Sequence, residues 1–150
     1  MALSTYKAKT FLKENVLVEA EARSHKVIID EPESLGGSDK GMSPVELLLS
    51  ALGACQSIVA RTYAKKFDID LQNFWVEVEG DIDIDGFLGK SDVRPGFQTI
   101  RYTFHIETTA PEEKIEAYKE FIEAHCPVGD TIENPVNLVS ANVVVENPVK

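Results

Sequence analysis

The chain has 150 residues, 43% of them hydrophobic and 27% charged. That is enough for one domain with a core of its own, and unlike a disordered chain or a disulfide-stapled mini-scaffold. Its 25 acidic against 15 basic residues give a formal net charge of −10, which repels phosphate backbones and anionic lipid and argues against nucleic-acid or membrane partners.

The first residues, Met1-Ala2-Leu3-Ser4-Thr5-Tyr6-Lys7, carry no apolar stretch of the kind that opens a secretory signal. With only two cysteines, Cys55 and Cys126, the chain reads as cytoplasmic, where a permanent disulfide is not expected. No repeat, low-complexity tract or linker divides the sequence, so a single domain over residues 1–150 is expected.

Val16, Val18, Ala20 and Ala22 alternate with Leu17, Glu19 and Glu21, the pattern of a half-buried strand. Val27-Ile28-Ile29 reads as the next strand, ended by Pro32, and a glycine-rich loop follows over Leu35 to Met42. Then comes a helix start: Ser43 suits the N-cap, Pro44 the first helical position, and Glu46 the third, completing a capping box. The apolar residues from Leu47 to Val59 cover most of that helix's circumference, so it is expected to be buried in a core or a subunit interface. The uncharged stretch from Leu47 to Ala60 is too short to span a bilayer. The helix turns polar at Lys65-Lys66, which suits a C-terminus.

From Phe74 to Ile84 the even positions Val76, Val78, Ile82 and Ile84 are apolar, and Glu77, Glu79, Asp81 and Asp83 are acidic. Ile100, Tyr102, Phe104 and Ile106 form a second apolar set, so the two segments read as a long antiparallel hairpin with one wet face. A second helix, from about Thr109 to His125, places Ile115, Tyr118, Ile122 and Cys126 on one stripe and is ended by Pro127. Val143-Val144-Val145 reads as a last strand. The expected order, β-β-β-α-β-β-α-β, is that of an α+β domain.

Two features carry chemistry. Cys55 lies eleven positions after Pro44, on an apolar helix, and Cys126 precedes Pro127 after the second helix. With these motifs in this element order, the chain from about Val16 to Val145 resembles the OsmC/Ohr family of organic hydroperoxide reductases. The resemblance implies an OsmC-like fold, with antiparallel sheets packed around two central helices in an intertwined homodimer whose active sites lie at the dimer interface. It also implies a cytoplasmic antioxidant enzyme of the oxidative stress response. Its substrates would be organic hydroperoxides with bulky alkyl groups, and its electron donor a dithiol such as a lipoylated protein. No metal, flavin or haem is required.

In that family the earlier cysteine, here Cys55, attacks the peroxide, and the later one, here Cys126, resolves the sulfenic acid to a disulfide. A Glu and an Arg assist. The carried-over candidates are Glu46, one position later than the family pattern, and Arg23, the only arginine before the motif. Local physics points the other way on the cysteines: Cys126 before Pro127 suits the N-cap of a short helix, where the dipole lowers a thiol pKa, whereas Cys55 sits mid-helix and needs a tertiary cation.

Plainer readings stand beside these. Both cysteines could be inert core residues, Glu46 a helix cap, and Arg61, six positions past Cys55, a surface or interface residue. An OsmC-like scaffold could instead bind a small apolar ligand without catalysis, or sense redox state through a slow disulfide. Asp81, Asp83, Asp85 and Asp92 approach a calcium-loop spacing, but the preceding segment alternates like a strand, so no calcium site is expected. His25, His105 and His125 form no zinc-ligand spacing.

Overall fold

A computed structural model describes residues 2–149. Strands β1 (Lys9–Leu12), β2 (Val18–Ala22) and β3 (His25–Ile29) form an antiparallel meander. The located strands are those expected, and β1 supplies the third. Their burial departs from expectation: β2 is half-buried at every position rather than alternately. The cause is that no helix covers either face broadly, so Val27 and Ile28 stay exposed in β3.

The loop after β3 is organised by Asp30, which is buried and accepts hydrogen bonds from the backbone N–H groups of Glu31 (2.9 Å), Ser38 (3.0 Å) and Lys40 (3.1 Å). Burial pushes its carboxyl up, but the three donors prevail and hold it below the usual aspartate range. A folded pKa below the unfolded value means that this contribution is present above about pH 4 and is lost as pH falls through the folded value. Asp70 acts in the same sense, held low by hydrogen bonds from Thr108 and Thr109 against an opposing push from burial. Thermal melts are therefore expected to be flat from pH 7 to about pH 4 and to fall steeply below it. Asp30→Asn should melt lower at neutral pH and show a shallower acid limb, and an unchanged limb would remove Asp30 from this role.

The Asp30 loop delivers the chain to α1 (Pro44–Tyr63). Its capping box forms as the sequence requires: the Ser43 side chain accepts from the Glu46 backbone N–H, and the Glu46 carboxylate accepts from the Ser43 N–H at 2.8 Å. A 3-10 turn (Ala64–Phe67) leads to β4 (Asn73–Ile82), which pairs antiparallel with β5 (Phe97–Glu107). The expected alternation holds along β4, although Ile84 belongs to a short helical turn, α2 (Ile84–Phe87), and is exposed. On the wet face Arg101 pairs with Glu79 and Asp81, and Asp83 caps α2. The acidic run therefore serves the hairpin.

Helix α3 (Glu112–Ala124) packs on α1, with Tyr118 and Ile122 fully buried among Val59, Ala60 and Ala64. The Tyr118 hydroxyl donates to the Ala60 carbonyl, which ties the two central helices together. Pro127 ends α3 and opens α4 (Pro127–Glu133).

One expectation needs correction. Residues 135–149 form no helix or strand, so Val143–Val145 is not a strand within this chain: a strand needs a paired edge, and this segment is exposed with none beside it. Within the single chain helix α1 buries one face, which meets the expected burial in a core or a subunit interface on that face alone. With the turn that follows, it is long and apolar enough to cross a membrane by length and composition alone. Leu52, Gly53, Gln56, Val59 and Ala60 face the chain's own core, whereas Ile58 is 67% exposed and Val45 and Leu48 are also uncovered.

Candidate active site

The structure brings the two cysteines together. Cys55 is half-buried on α1, Cys126 is 1% exposed at the N-cap of α4, both are free, and Cys55 lies near enough to raise the Cys126 thiol. The packing of α4 against α1 achieves this across the long sequence separation. Cys55 lies three residues after buried Leu52 and three before exposed Ile58, which puts it on the shoulder between the inner and outer faces of α1.

The N-cap geometry expected for Cys126 is present, with the Gly129 N–H donating to its Sγ at 3.3 Å. The expected acidity is not. Burial pushes the Cys126 thiol above its ordinary range, the Gly129 donor only partly offsets this, and the adjacent Cys55 adds to the rise. A capped thiol gains little from the dipole of a seven-residue helix once water is excluded from it.

Cys126 lines a cavity of about 580 Å³. Leu48, Leu52 and Gln56 of α1 form one wall, Ile100 and Tyr102 of β5 another, and Gly129 and Ile132 of α4 a third. Cys55 is not among its lining residues. Arg94, from the loop before β5, is the only cation among the described residues that line it, and its guanidinium donates to the Phe97 carbonyl. The Tyr102 hydroxyl donates to Glu123 at 3.1 Å, and burial together with that carboxylate pushes the phenol up to about 12, so it stays protonated at neutral pH.

The other two candidates do not join the thiols within one chain. Glu46 spends its carboxylate on the helix cap and faces a separate groove between α1 and β4, with Gly53, Trp75 and Val76. Arg23 sits in the tight β2–β3 turn with a left-handed backbone, beside Tyr6, Lys7 and Glu21. Sequence reasoning does not mark Arg94 or Gln56 as site residues: Arg94 lies in a Gly/Pro-rich loop with no local signature of its place in the cavity wall, and Gln56 is legible only as a polar residue inside an apolar helical run. No group of His, Cys, Asp and Glu able to hold a metal ion forms among the described residues.

The profile of the OsmC family, described as OsmC-like protein, matches residues 37–140. The chain belongs to the OsmC family. A hydroperoxide reductase of Mycoplasma genitalium is 22% identical over 133 residues, covering 88% of this chain and 89% of the relative. The crystal structure of an OsmC-like protein from Mycoplasma pneumoniae superposes with a TM-score of 0.77 at 22% identity, over 88% of this chain and 89% of that one. An organic hydroperoxide resistance protein, OsmC, from Legionella pneumophila superposes with a TM-score of 0.62 at 23% identity, over 88% and 91% of the two chains. At these identities the structural likenesses establish the OsmC fold, with helices and antiparallel sheets arranged as expected. The family and the reductase relative together connect this chain to peroxide-related chemistry.

Proposed function

We propose that this OsmC-like chain is a thiol peroxidase that reduces organic hydroperoxides through Cys55 and Cys126 in a reducing cytoplasm. The observation that carries the reading is the pair of free thiols on packed helices, Cys55 half-buried on α1 and Cys126 buried at the N-cap of α4. The Cys55 thiolate attacks the terminal peroxide oxygen. An S–O bond forms as the O–O bond breaks, the alkoxide leaves with the electron pair and takes a proton from water, and an alcohol and a sulfenic acid result. The Cys126 sulfur then attacks the sulfenic sulfur and displaces the oxygen as water, giving a disulfide. A dithiol reductant, of the lipoyl type, returns both thiols by exchange. The apolar part of the cavity wall, Leu48, Leu52, Ile100 and Ile132, suits an alkyl chain.

The thiolate needs a cation, and Arg94 is the one this chain offers from the cavity wall. The uncovered face of α1, the uncovered β1–β3 sheet and the exposed apolar segment 138–145 support an intertwined homodimer, with the second copy closing the site over Cys55.

With a dithiol in excess, the protein is expected to consume many equivalents of cumene hydroperoxide. Arg94→Gln should slow that reaction about tenfold through weaker thiolate stabilisation. If Arg23→Gln slows it instead, the cation comes from the β2–β3 turn and the assignment to Arg23 stands. Consumption that stops at one equivalent would support a redox sensor. None at all would leave the cavity as a binding site for an apolar ligand.

A further inference from the structure

Helix α1 carries one residue that its structural role does not explain. Gln56 is 1% exposed, and its Oε1 is the only buried side-chain oxygen or nitrogen without a hydrogen-bond partner among the described residues. A buried acceptor left unpaired is costly, and folded proteins seldom keep one unless something outside the chain satisfies it. A methionine or leucine in this place would pack without that cost. The Tyr102 hydroxyl, which belongs to the same cavity wall, donates to Glu123 instead. Gln56 lines the same cavity as Cys126 and follows Cys55 directly in the helix. The terminal torsion of a glutamine is broad, so its amide turns toward the cavity at small cost.

We propose that the unpaired Gln56 amide in the cavity wall beside the thiol pair is the hydroperoxide anchor of this chain, its oxygen accepting the hydrogen bond of the peroxide O–H. The inference rests on the peroxidase reading and adds a substrate-contacting residue to it. The chemistry suits an acceptor there. When the thiolate attacks, the terminal oxygen forms the S–O bond, the O–O bond breaks, and the alkoxide leaves with the electron pair to be protonated by water. The transferred oxygen keeps its hydrogen throughout, so one acceptor holds the group both as hydroperoxide and as sulfenic acid. An acceptor also turns the O–H away from the sulfur and leaves the far side of the O–O bond open to it.

The test compares the full-length protein with Gln56→Met, close in shape and lacking the amide. Three quantities are measured: the single-turnover rate with cumene hydroperoxide, the alkylation rate of the reduced thiols by iodoacetamide, and the melting temperature. The hydroperoxide rate is expected to fall about tenfold, the worth of one lost hydrogen bond. Alkylation should change less than about twofold, and the melting temperature should hold or rise because an unpaired polar group has been removed from the core. An unchanged hydroperoxide rate overturns the proposal, as does an equal loss in both reactions, which would mean altered thiols. A variant that melts well below the parent or fails to fold also overturns it, since Gln56 would then be structural. A parent protein that consumes no hydroperoxide overturns the peroxidase reading and this inference with it, whereas a reactive parent matched by its variant overturns this inference alone.

Discussion

Cys55→Ser is expected to lose the fast reaction with alkyl hydroperoxide altogether, whereas Cys126→Ser should react once and stop. The reasoning runs through water and access. A thiol attacks as its thiolate, and burial disfavours the thiolate of Cys126. Cys55 sits on the shoulder of α1 and is only half-buried. Without Cys126 the sulfenic acid on Cys55 has no resolving partner in the chain, so it persists and is trapped by dimedone as a single adduct. With both cysteines present, one equivalent of peroxide should consume both free thiols and leave an intrachain disulfide. Thiol counts and intact mass read all three outcomes. The reverse pattern, with Cys126 carrying the fast reaction, would mean that the cavity Cys126 lines matters more than its resistance to ionisation. If neither change matters, the cysteines are packing residues.

The protein should also measure as a dimer in solution scattering at micromolar concentration, and Ile58→Asp should break it. Ile58 is 67% exposed on an otherwise apolar helix, and Leu138 and Val143 to Val145 are almost fully exposed within one chain. An aliphatic side chain of this size is worth about 1.5–3 kcal/mol when removed from water. Several together exceed what a marginally stable domain leaves uncovered without a partner. A charge at position 58 would have to be buried in that interface without a counter-ion, at a cost of several kcal/mol. A wild-type mass equal to one chain refutes the dimer.

What the sequence revealed and what it hid divide along the range of the interactions. The Ser43–Glu46 box is made within one turn, so residue spacing alone determined it. The β4 alternation and the Tyr118–Ile122 stripe are also local periodicities, each facing a core that lies on one side. The thiol pair was visible only through the family resemblance, because nothing near Cys55 in the chain announces Cys126. Arg23 is the only arginine before Pro44, and within one chain the tight turn between β2 and β3 keeps it out of the cavity wall, where Arg94 lies. The acidity expected of Cys126 failed because a helix dipole is a local term and desolvation is a tertiary one. Val143–Val145 has strand composition, but pairing needs a neighbour, and composition cannot say where that neighbour is.

The close seat of α1 on β4 depends on an atom that is not there. A β-carbon at Gly53 would meet the Val78 Cγ2 at 3.2 Å and Val76 at 3.6 Å. An alanine at that position would prise the helix outward by a few tenths of an ångström, and Cys55 rides only two residues further along the same rod. A disulfide tolerates only a narrow span between its two α-carbons, about 4.4–6.8 Å. Spacing at the cysteines thus depends on the seat of the helix on β4, at Gly53, Val76 and Val78, none of which lines the cavity beside Cys126. Selection for redox chemistry in this chain would therefore act on a glycine and a valine as firmly as on the thiols.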